Sequence, residues 1–254
     1  MTVTLHAMTT GRITAQAANM IDGGEGEVTL PIPAFLIRHP KGLVLFDTGM
    51  HPDVQADPTA RLGERLGGLF RYDFSAGEEI TAHLRGMDVD PGRIDWVINS
   101  HLHFDHSGAN ATIPNATLVM QRREWEIGRD GEQAVKFGYD PRDVTAGHPV
   151  KAIDGEFDLF GDGRIACIPT PGHTPGHQSL RVRLDSGDIV LTADACYFCK
   201  TLRERRLPAR AFDKEEMLRS LDRLEALERG GARLIFGHDP EFWGTIVQAP
   251  AAIG

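Results

Sequence analysis

Cysteine is scarce in this sequence of 254 residues, which contains three cysteines in total. A small and odd number of cysteines is typical of a reduced, intracellular protein. Cys196 and Cys199 have C-x-x-C spacing, but a zinc ribbon requires a second such pair, and the sequence contains none. We therefore interpret Cys196 and Cys199 as two buried thiols rather than as a redox or metal site.

Long apolar segments and export signals are also missing. No stretch approaches the ~18 apolar residues that would span a bilayer. Residues 1–6 offer neither the basic start nor the apolar block of a signal peptide. These absences predict a cytoplasmic protein that does not insert into a membrane.

The chain lacks an excess of basic charge, since its formal net charge is −9. Binding to nucleic acid requires a net basic face, so nucleic acid is excluded as the main partner. Four arginines do cluster within residues 203–210, but a charge run of this size is typical of a solvated loop. The expected partner is a small molecule.

Repeats of fixed period and low-complexity linkers are absent as well, which predicts a single domain over residues 1–254. Strands are indicated wherever a β-rich run is bounded by glycine, proline or turn residues. The predicted strands are 3–8, 32–38, 43–47, 96–99, 118–121, 165–169, 180–184, 189–192 and 234–236. Strands come first, and later strands alternate with helices.

Three helices are predicted from capping signals and apolar spacing. Ser75 has capping-box spacing to Glu78 and indicates a helix through residue 84, and a second helix is predicted over 122–127. The clearest helix begins after Asp213, with Glu216 at the capping-box position, and ends at two glycines, 230–231. Its apolar residues recur at three- and four-residue spacing, which indicates core packing.

The densest polar motif of the chain occupies residues 101–106 and reads His-Leu-His-Phe-Asp-His. His101 and His103 are two residues apart and project to the same side of an extended segment, whereas Asp105 and His106 follow a backbone turn. Neutral imidazole and carboxylate are ligands that zinc and iron prefer. An isolated histidine is usually a surface or core residue, but four such ligands within six residues indicate a metal site.

Three further candidates, His173, Asp194 and His238, each lie just after a predicted strand. Residues at strand ends lie on short, stiff loops along one rim of a sheet, where a scaffold can hold metal ligands within a small tolerance. One tetrahedral zinc is satisfied by four ligands, so seven candidates indicate two metal ions in one pocket. Such a pair activates water and stabilises a developing oxyanion, which predicts a hydrolase.

With these motifs the chain resembles the metallo-β-lactamase superfamily along nearly its whole length, including an early Asp47-Thr48-Gly49 turn. The resemblance implies an α/β fold, a four-layer αββα sandwich in which Asp47 supports the site from behind the ligands. It assigns seven metal ligands: His101, His103 and His173 to one ion, Asp105, His106 and His238 to the other, and Asp194 to both. His177 is left over and is expected to orient its neighbours rather than bind metal.

Within the superfamily, the closest resemblance is to the N-acyl homoserine lactone lactonases that quench bacterial quorum sensing. It is carried by residues 100–108, 170–179, 194–197 and 237–239. The resemblance implies that Tyr197 contacts the lactone carbonyl and that Asp105, besides binding metal, shuttles a proton to the leaving alkoxide. Cys196 departs from the usual pattern and raises the question of a thiol that competes for the metals.

The expected cofactors are two divalent metal ions, zinc first, with iron, cobalt or manganese as alternatives for the same donor set. The expected substrate is a small lactone, and the chain is expected to be a monomer or a homodimer. Residues 51–74 look like an extended loop that covers the acyl chain, and Met20, Leu69, Phe70, Tyr72 and Phe74 are candidate lining residues. Plain packing explains these apolar residues equally well.

Several alternatives to this lactonase reading stay open. The same fold could open another small lactone, such as a pyridoxine-derived lactone, or cleave an ester or a phosphotriester. Relatives that reduce oxygen or nitric oxide at a di-iron site carry glutamate where this chain has His103, which disfavours that chemistry. A metal-binding protein without turnover is disfavoured because all seven ligand positions hold competent residues.

Overall fold

The structure is a computed structural model that describes residues 2–144 and 146–254. Twelve strands lie in the described part of the chain, and they form two sheets. The strands of the first sheet are β1 (Thr4–Gln16), β2 (Glu27–His39), β3 (Gly42–Phe46), β4 (Arg71–Asp73), β5 (Trp96–Ile98), β6 (Thr117–Gln121) and β7 (Val150–Ile153). Those of the second are β8 (Phe157–Asp158), β9 (Ile165–Pro169), β10 (Gln178–Leu184), β11 (Gly187–Leu191) and β12 (Arg233–Ile235).

The two sheets combine antiparallel and parallel pairs. The first has the order β4-β1-β2-β3-β5-β6-β7, in which β1, β2 and β3 are antiparallel and β3, β5, β6 and β7 are parallel. The second has the order β12-β11-β10-β9-β8, in which the pair of β11 with β12 is parallel. Parallel neighbours end at the same edge of a sheet, so the loops that follow β3 and β5, and those that follow β11 and β12, leave together.

Ten α-helices are present in residues 2–144 and 146–254, and most of them are short. They are α1 (Ala17–Met20), α2 (Pro58–Gly67), α3 (Ile80–Gly86), α4 (Phe104–Ser107), α5 (Arg122–Gly128), α6 (Gly131–Phe137), α7 (Pro141–Val144), α8 (Cys199–Glu204), α9 (Lys214–Arg229) and α10 (Pro240–Trp243). Among these helices, none combines the length and the apolar character required to cross a membrane.

The hydrophobic core lies in three layers between four layers of secondary structure. Apolar side chains of both sheets, such as Phe46 and Leu180, pack against each other in the central layer. The outer face of the first sheet packs on α3 through Ile80 and Leu84. The outer face of the second packs on α9, where Leu221 is fully buried. This helix–sheet–sheet–helix order confirms the predicted αββα sandwich.

The predicted strands are confirmed, although β1 and β2 are each 13 residues long and extend beyond the predicted runs. The helix predicted after Asp213 is also confirmed, since the Asp213 carboxylate accepts hydrogen bonds from the Glu215 and Glu216 amides at 2.9 Å. The helix predicted at 122–127 corresponds to α5. Local signals were sufficient here because capping and apolar spacing act within one turn.

The predicted start of the helix at Ser75 is wrong, because α3 begins at Ile80. Residues 75–78 form a separate turn, in which the Glu78 amide donates to the Ser75 carbonyl at 3.0 Å. The Glu78 carboxylate accepts from the Ser75 amide at 2.8 Å. The capping-box pair therefore closes on itself before the helix begins.

The prediction of an extended loop over residues 51–74 is also wrong. This segment contains a 3-10 turn, Pro52–Gln55, followed by α2 and β4. The Asp57 carboxylate caps α2 by accepting hydrogen bonds from two amides of the first turn, each at 3.0 Å. Gly63 has a φ of 79° and interrupts the helical backbone within α2.

Candidate metal centre

The motif at residues 101–106 follows β5 and changes from extended to helical at His103. His103 is the extended residue before α4, with φ −69° and ψ 156°. His101 Nε2 and His103 Nδ1 lie 2.8 Å apart, on the same side of the segment. Asp105 and His106 lie in the single turn of α4. The change of backbone conformation thus presents two pairs of ligand groups in different directions.

His101, His103 and His173 form the first group of candidate ligands. His103 Nδ1 lies 3.0 Å from His173 Nε2, although the two residues come from different sheets. The other ring nitrogens are held by neighbours: His101 Nδ1 lies 3.0 Å from Ser100 Oγ, and His103 Nε2 donates to the Phe137 carbonyl at 3.0 Å. These contacts leave three nitrogens that face one another.

Asp105, His106 and His238 form the second group. Asp105 Oδ2 lies 3.6 Å from His106 Nε2 and 3.9 Å from His238 Nε2. His238 Nδ1 donates to the Pro31 carbonyl at 2.8 Å, and His106 Nδ1 donates to Asp47 Oδ2 at 2.9 Å. A hydrogen bond at one ring nitrogen fixes the tautomer and leaves the other nitrogen as an electron-pair donor.

Asp194 lies between the two groups, in the short turn that follows β11. Its Oδ1 is 3.1 Å from His106 Nε2 and 3.0 Å from His238 Nε2. Its Oδ2 is 3.2 Å from His173 Nε2 and 3.7 Å from His101 Nε2. One oxygen therefore faces each group.

The donor set fits a pair of divalent cations. The ligand atoms of each group, with Asp194 counted in the first, lie within 4.8 Å of one another. Within the described residues, His106 Nε2 and Asp194 Oδ1 are buried and have no hydrogen-bond partner. An unsatisfied buried polar atom costs about 1–3 kcal/mol, and a cation bound between these two atoms would satisfy both.

The electrostatics of the cluster differ among its members. Burial lowers the pKa of His101 and His173 well below the ordinary histidine value. Burial also acts to raise the pKa of Asp194, but His106 and His238 hold that pKa well below its ordinary value. Against the effect of burial, the carboxylates of Asp194 and Asp105 raise the pKa of His106 and His238, so these two rings bind a metal only after they lose a proton.

Asp47 and His177 orient the candidate ligands, as expected. The Asp47 carboxylate accepts from the Ser100 amide at 2.7 Å and the Ser100 hydroxyl at 2.8 Å, besides its bond with His106. His177 Nδ1 donates to the Thr170 carbonyl at 3.1 Å, and its Nε2 accepts from the Asp194 amide at 3.1 Å. His177 therefore holds the backbone of Asp194 and lies outside both ligand groups.

The sequence analysis missed Glu124, a fully buried carboxylate in the first turn of α5. It accepts three hydrogen bonds from the loops that carry the candidate ligands and a fourth from the Tyr139 hydroxyl. Its neighbours in sequence, Arg122, Arg123 and Glu126, are exposed, so the segment reads as a solvated charge run. The one available signal was its position immediately after the strand β6.

A cavity of about 360 Å³ opens above the candidate ligands. Its wall is apolar on one side and includes Met20, Leu69 and Phe70, three of the candidate lining residues. The other two, Tyr72 and Phe74, pack in the hydrophobic cluster behind this wall. Further lining residues are Ile13, Leu66, Phe104, Phe137 and Tyr197.

Cys196 and Tyr197, which follow Asp194 closely in the sequence, point in opposite directions. Tyr197 lines the cavity, and its hydroxyl lies 3.4 Å from His173 Nδ1. Cys196 instead packs in the core beneath α9, and its thiol donates to the Phe198 carbonyl at 3.3 Å. Cys196 is a buried free thiol, as predicted, whereas Cys199 is free but only partly buried. No cysteine joins a metal-ligand group in residues 2–144 and 146–254. The thiol therefore does not face the candidate metal site.

Comparisons with known proteins bear on this arrangement. A sequence profile of the metallo-beta-lactamase superfamily matches residues 28–238. N-acyl homoserine lactonase AttM of Azorhizobium caulinodans is 34% identical over 262 residues, which cover 98% of this chain and 97% of that protein. N-acyl homoserine lactonase AiiA of Bacillus thuringiensis subsp. kurstaki is 32% identical over 216 residues, 84% of this chain and 83% of that protein. A solved N-acyl homoserine lactone hydrolase, with the product N-hexanoyl-L-homoserine at its catalytic metal center, superimposes with a TM-score of 0.88 at 28% identity over 100% of both chains.

Proposed function

The chain belongs to the metallo-β-lactamase superfamily, and we propose that it is a hydrolase that opens the lactone ring of N-acyl homoserine lactones. The single observation that carries the proposal is Asp194, whose two oxygens face the two groups of candidate ligands. The similarity to two named lactonases and to a product-bound lactone hydrolase supports the choice of substrate. Because both sheets supply ligands to one centre, we propose a single catalytic domain.

The proposal includes two divalent cations, zinc first. His101, His103 and His173 would hold one ion and Asp105, His106 and His238 the other, with Asp194 shared. When bound, two such cations supply an activated water and polarise the lactone carbonyl. Iron, cobalt or manganese would suit the same histidine and carboxylate donors.

Two side chains of the chain itself would act on the reacting lactone. Tyr197 places its hydroxyl beside His173, at the floor of the cavity, and would donate a hydrogen bond to the oxyanion that develops on the carbonyl. Asp105 borders the same floor and would accept the proton of the attacking water oxygen and pass it to the alkoxide that leaves when the ring opens. The acyl chain would lie along the apolar wall that contains Met20 and Phe70.

The proposal is tested by incubating zinc-loaded protein with N-hexanoyl homoserine lactone and measuring the ring-opened acid by chromatography. We expect fast opening that stops after chelation and returns when zinc is added back. The matched reference is the uncatalysed hydrolysis in the same buffer. Two bound metal ions with no ring opening would contradict the substrate assignment and direct the search to another lactone, an ester or a phosphotriester.

A further inference from the structure

We infer that Glu124 is a positioning residue that selectively sets the metal affinity of the group formed by His101, His103 and His173. This inference rests on the metal centre of the proposed function and extends it to a residue that touches no candidate ligand side chain. The Glu124 side chain is completely buried and does not line the cavity. It therefore acts through the backbone amides and the hydroxyl groups that surround the ligand side chains.

Each oxygen of Glu124 holds a different ligand loop. Oε1 accepts from the Leu102 amide at 3.1 Å, and Leu102 is the residue between His101 and His103. Oε2 accepts from the Thr174 hydroxyl and from the Gly176 amide, both at 2.9 Å, in the loop that begins with His173. One carboxylate thus joins a loop of the first sheet to a loop of the second.

All four partners of Glu124 are donors, the fourth being the Tyr139 hydroxyl at 2.6 Å from Oε1. An ionised carboxylate accepts at both oxygens, so it satisfies this set completely. A glutamine in the same place would turn an NH₂ group toward two donors. Those donors would lose their acceptor while the volume and shape of the side chain stay nearly the same.

The loop that contains His173 packs so closely on α5 that neither backbone has room to shift toward the other. A Cβ atom built on Gly176 would lie 2.3 Å from the Glu124 nitrogen and 2.6 Å from its Cβ. The loop backbone therefore lies directly on the first turn of α5. Outside the ligand positions, Gln178 also links the two segments: its backbone amide donates to the Ser100 carbonyl and its side-chain amide to the Asn99 carbonyl, both at 2.9 Å. The Glu124 hydrogen bonds, in contrast, are made by residues that adjoin or closely follow the candidate ligands His101, His103 and His173 in the chain.

The role of Glu124 complements that of Asp47. Asp47 bonds directly to His106 and reaches His101 through Ser100. The hydrogen bonds of Glu124 flank His103 and His173 and reach nothing in the group of Asp105, His106 and His238. Loss of the Glu124 carboxylate should therefore weaken one metal position and spare the other.

The test compares Glu124→Gln with Glu126→Gln, the same substitution at an exposed position of the same helix. Zinc dissociation constants of both positions are measured by competition with a chromophoric chelator. In Glu124→Gln we expect one of the two constants to rise by about 10–100-fold, the usual effect of losing an outer partner of metal ligands. The other constant, and both constants of Glu126→Gln, should match the parent chain.

Two further measurements separate positioning from general stability. Tyr139→Phe removes one donor and keeps the carboxylate, so it should shift the same constant in the same direction by less, even where Glu124→Gln does not fold. In a His103→Ala background, Glu124→Gln should add nothing to the metal loss, because the position it supports is already broken.

Folded Glu124→Gln protein with two unchanged zinc constants would overturn the inference, and so would an equal loss at both positions. A parent chain that binds no zinc would instead contradict the metal centre of the proposed function. A parent chain that binds two zinc ions and opens no lactone would contradict only the substrate. The chelator titration therefore tests the metal centre and the role of Glu124, and the chromatographic assay tests the substrate separately.

Discussion

At the scale of single residues, the two nitrogens of an imidazole ring have different roles in the candidate centre: one donates a hydrogen bond to a neighbour, and the other faces the site. His103 and His238 donate one N–H to a backbone carbonyl, and His106 donates one to a carboxylate. The remaining nitrogens point toward Asp194 or toward each other. A carbonyl acceptor fixes the tautomer and the orientation of the ring without adding charge, so the other nitrogen already faces the site.

Replacement of the shared carboxylate is the most direct test at this scale. Asp194→Ala should lower zinc stoichiometry from two toward one, because both groups lose an oxygen ligand. It should lower kcat/KM by at least about 100-fold, given that loss of even an outer partner of a ligand costs 10–100-fold. Asp185→Ala, at an exposed aspartate on the neighbouring turn, is the control. Two retained zinc ions at full rate would refute the bridging role.

Tyr197→Phe separates catalysis from metal binding. The hydroxyl lies at the floor of the cavity, 3.4 Å from His173 Nδ1, and no metal ligand is removed with it. Zinc content should stay at the parent value while kcat falls by roughly 100-fold, the loss typical of one oxyanion donor. Steady-state kinetics and metal analysis on the same sample check both parts. An unchanged kcat would remove Tyr197 from the mechanism.

At the scale of elements, α2 forms part of the cavity cover and is held by one buried arginine. Arg61, in α2, pairs with Asp140 and with Asp143 of α7. Leu66, one turn further along, lines the cavity. Burial raises the pKa of Asp143 to about 7, and the Arg61 guanidinium opposes that shift. The cover is thus attached by a desolvated ion pair at one end and by apolar contacts at the other.

Arg61→Met should release α2 without emptying the metal centre. Removal of one partner from a buried ion pair costs about 3–5 kcal/mol, because the remaining charge is left uncompensated. We expect faster hydrogen exchange over residues 58–67, a higher KM for a long-chain lactone, and unchanged zinc content. Glu64→Gln, at an exposed position of the same helix, should change none of these. Parent-like exchange in Arg61→Met would show that α2 is anchored elsewhere.

At the scale of the whole molecule, the centre joins the two sheets. The residues at 101–106 follow β5 of the first sheet, whereas His173, Asp194 and His238 follow strands of the second. The central hydrophobic layer already holds the sheets together. Cations at the rim would add a second connection, and any group that binds only the native state stabilises it.

Removal of metal should therefore lower the melting temperature. Free zinc at 1,000 times its Kd stabilises the native state by about 4 kcal/mol. This value applies to one site, and in a chain of this size each kcal/mol corresponds to ~2–4 °C, so chelation should lower the Tm by on the order of 10 °C for each zinc ion removed. Calorimetry of zinc-loaded, chelated and reconstituted samples measures the effect. Equal melting temperatures in all three would contradict a structural contribution of the metals.

Features that depend on neighbours in the chain were predictable from local patterns. The cluster at 101–106, the strand ends that carry His173, Asp194 and His238, and the cap of α9 at Asp213 are local patterns, and the structure brings these candidates together. The superfamily followed from the same motifs. Spacing and capping act within one turn or strand, so they can be read without knowledge of the fold.

Features that depend on residues far apart in the chain became visible in the folded molecule and not before. Glu124 and Arg61 look like solvated charges in the sequence, yet each is buried against partners that lie tens of residues away. Likewise, the sequence does not indicate that the Cys196 side chain packs in the core while the Tyr197 side chain lines the cavity. Burial of a charge is affordable only where donors or counter-charges converge on it, and that convergence arises when the two sheets and their helices pack.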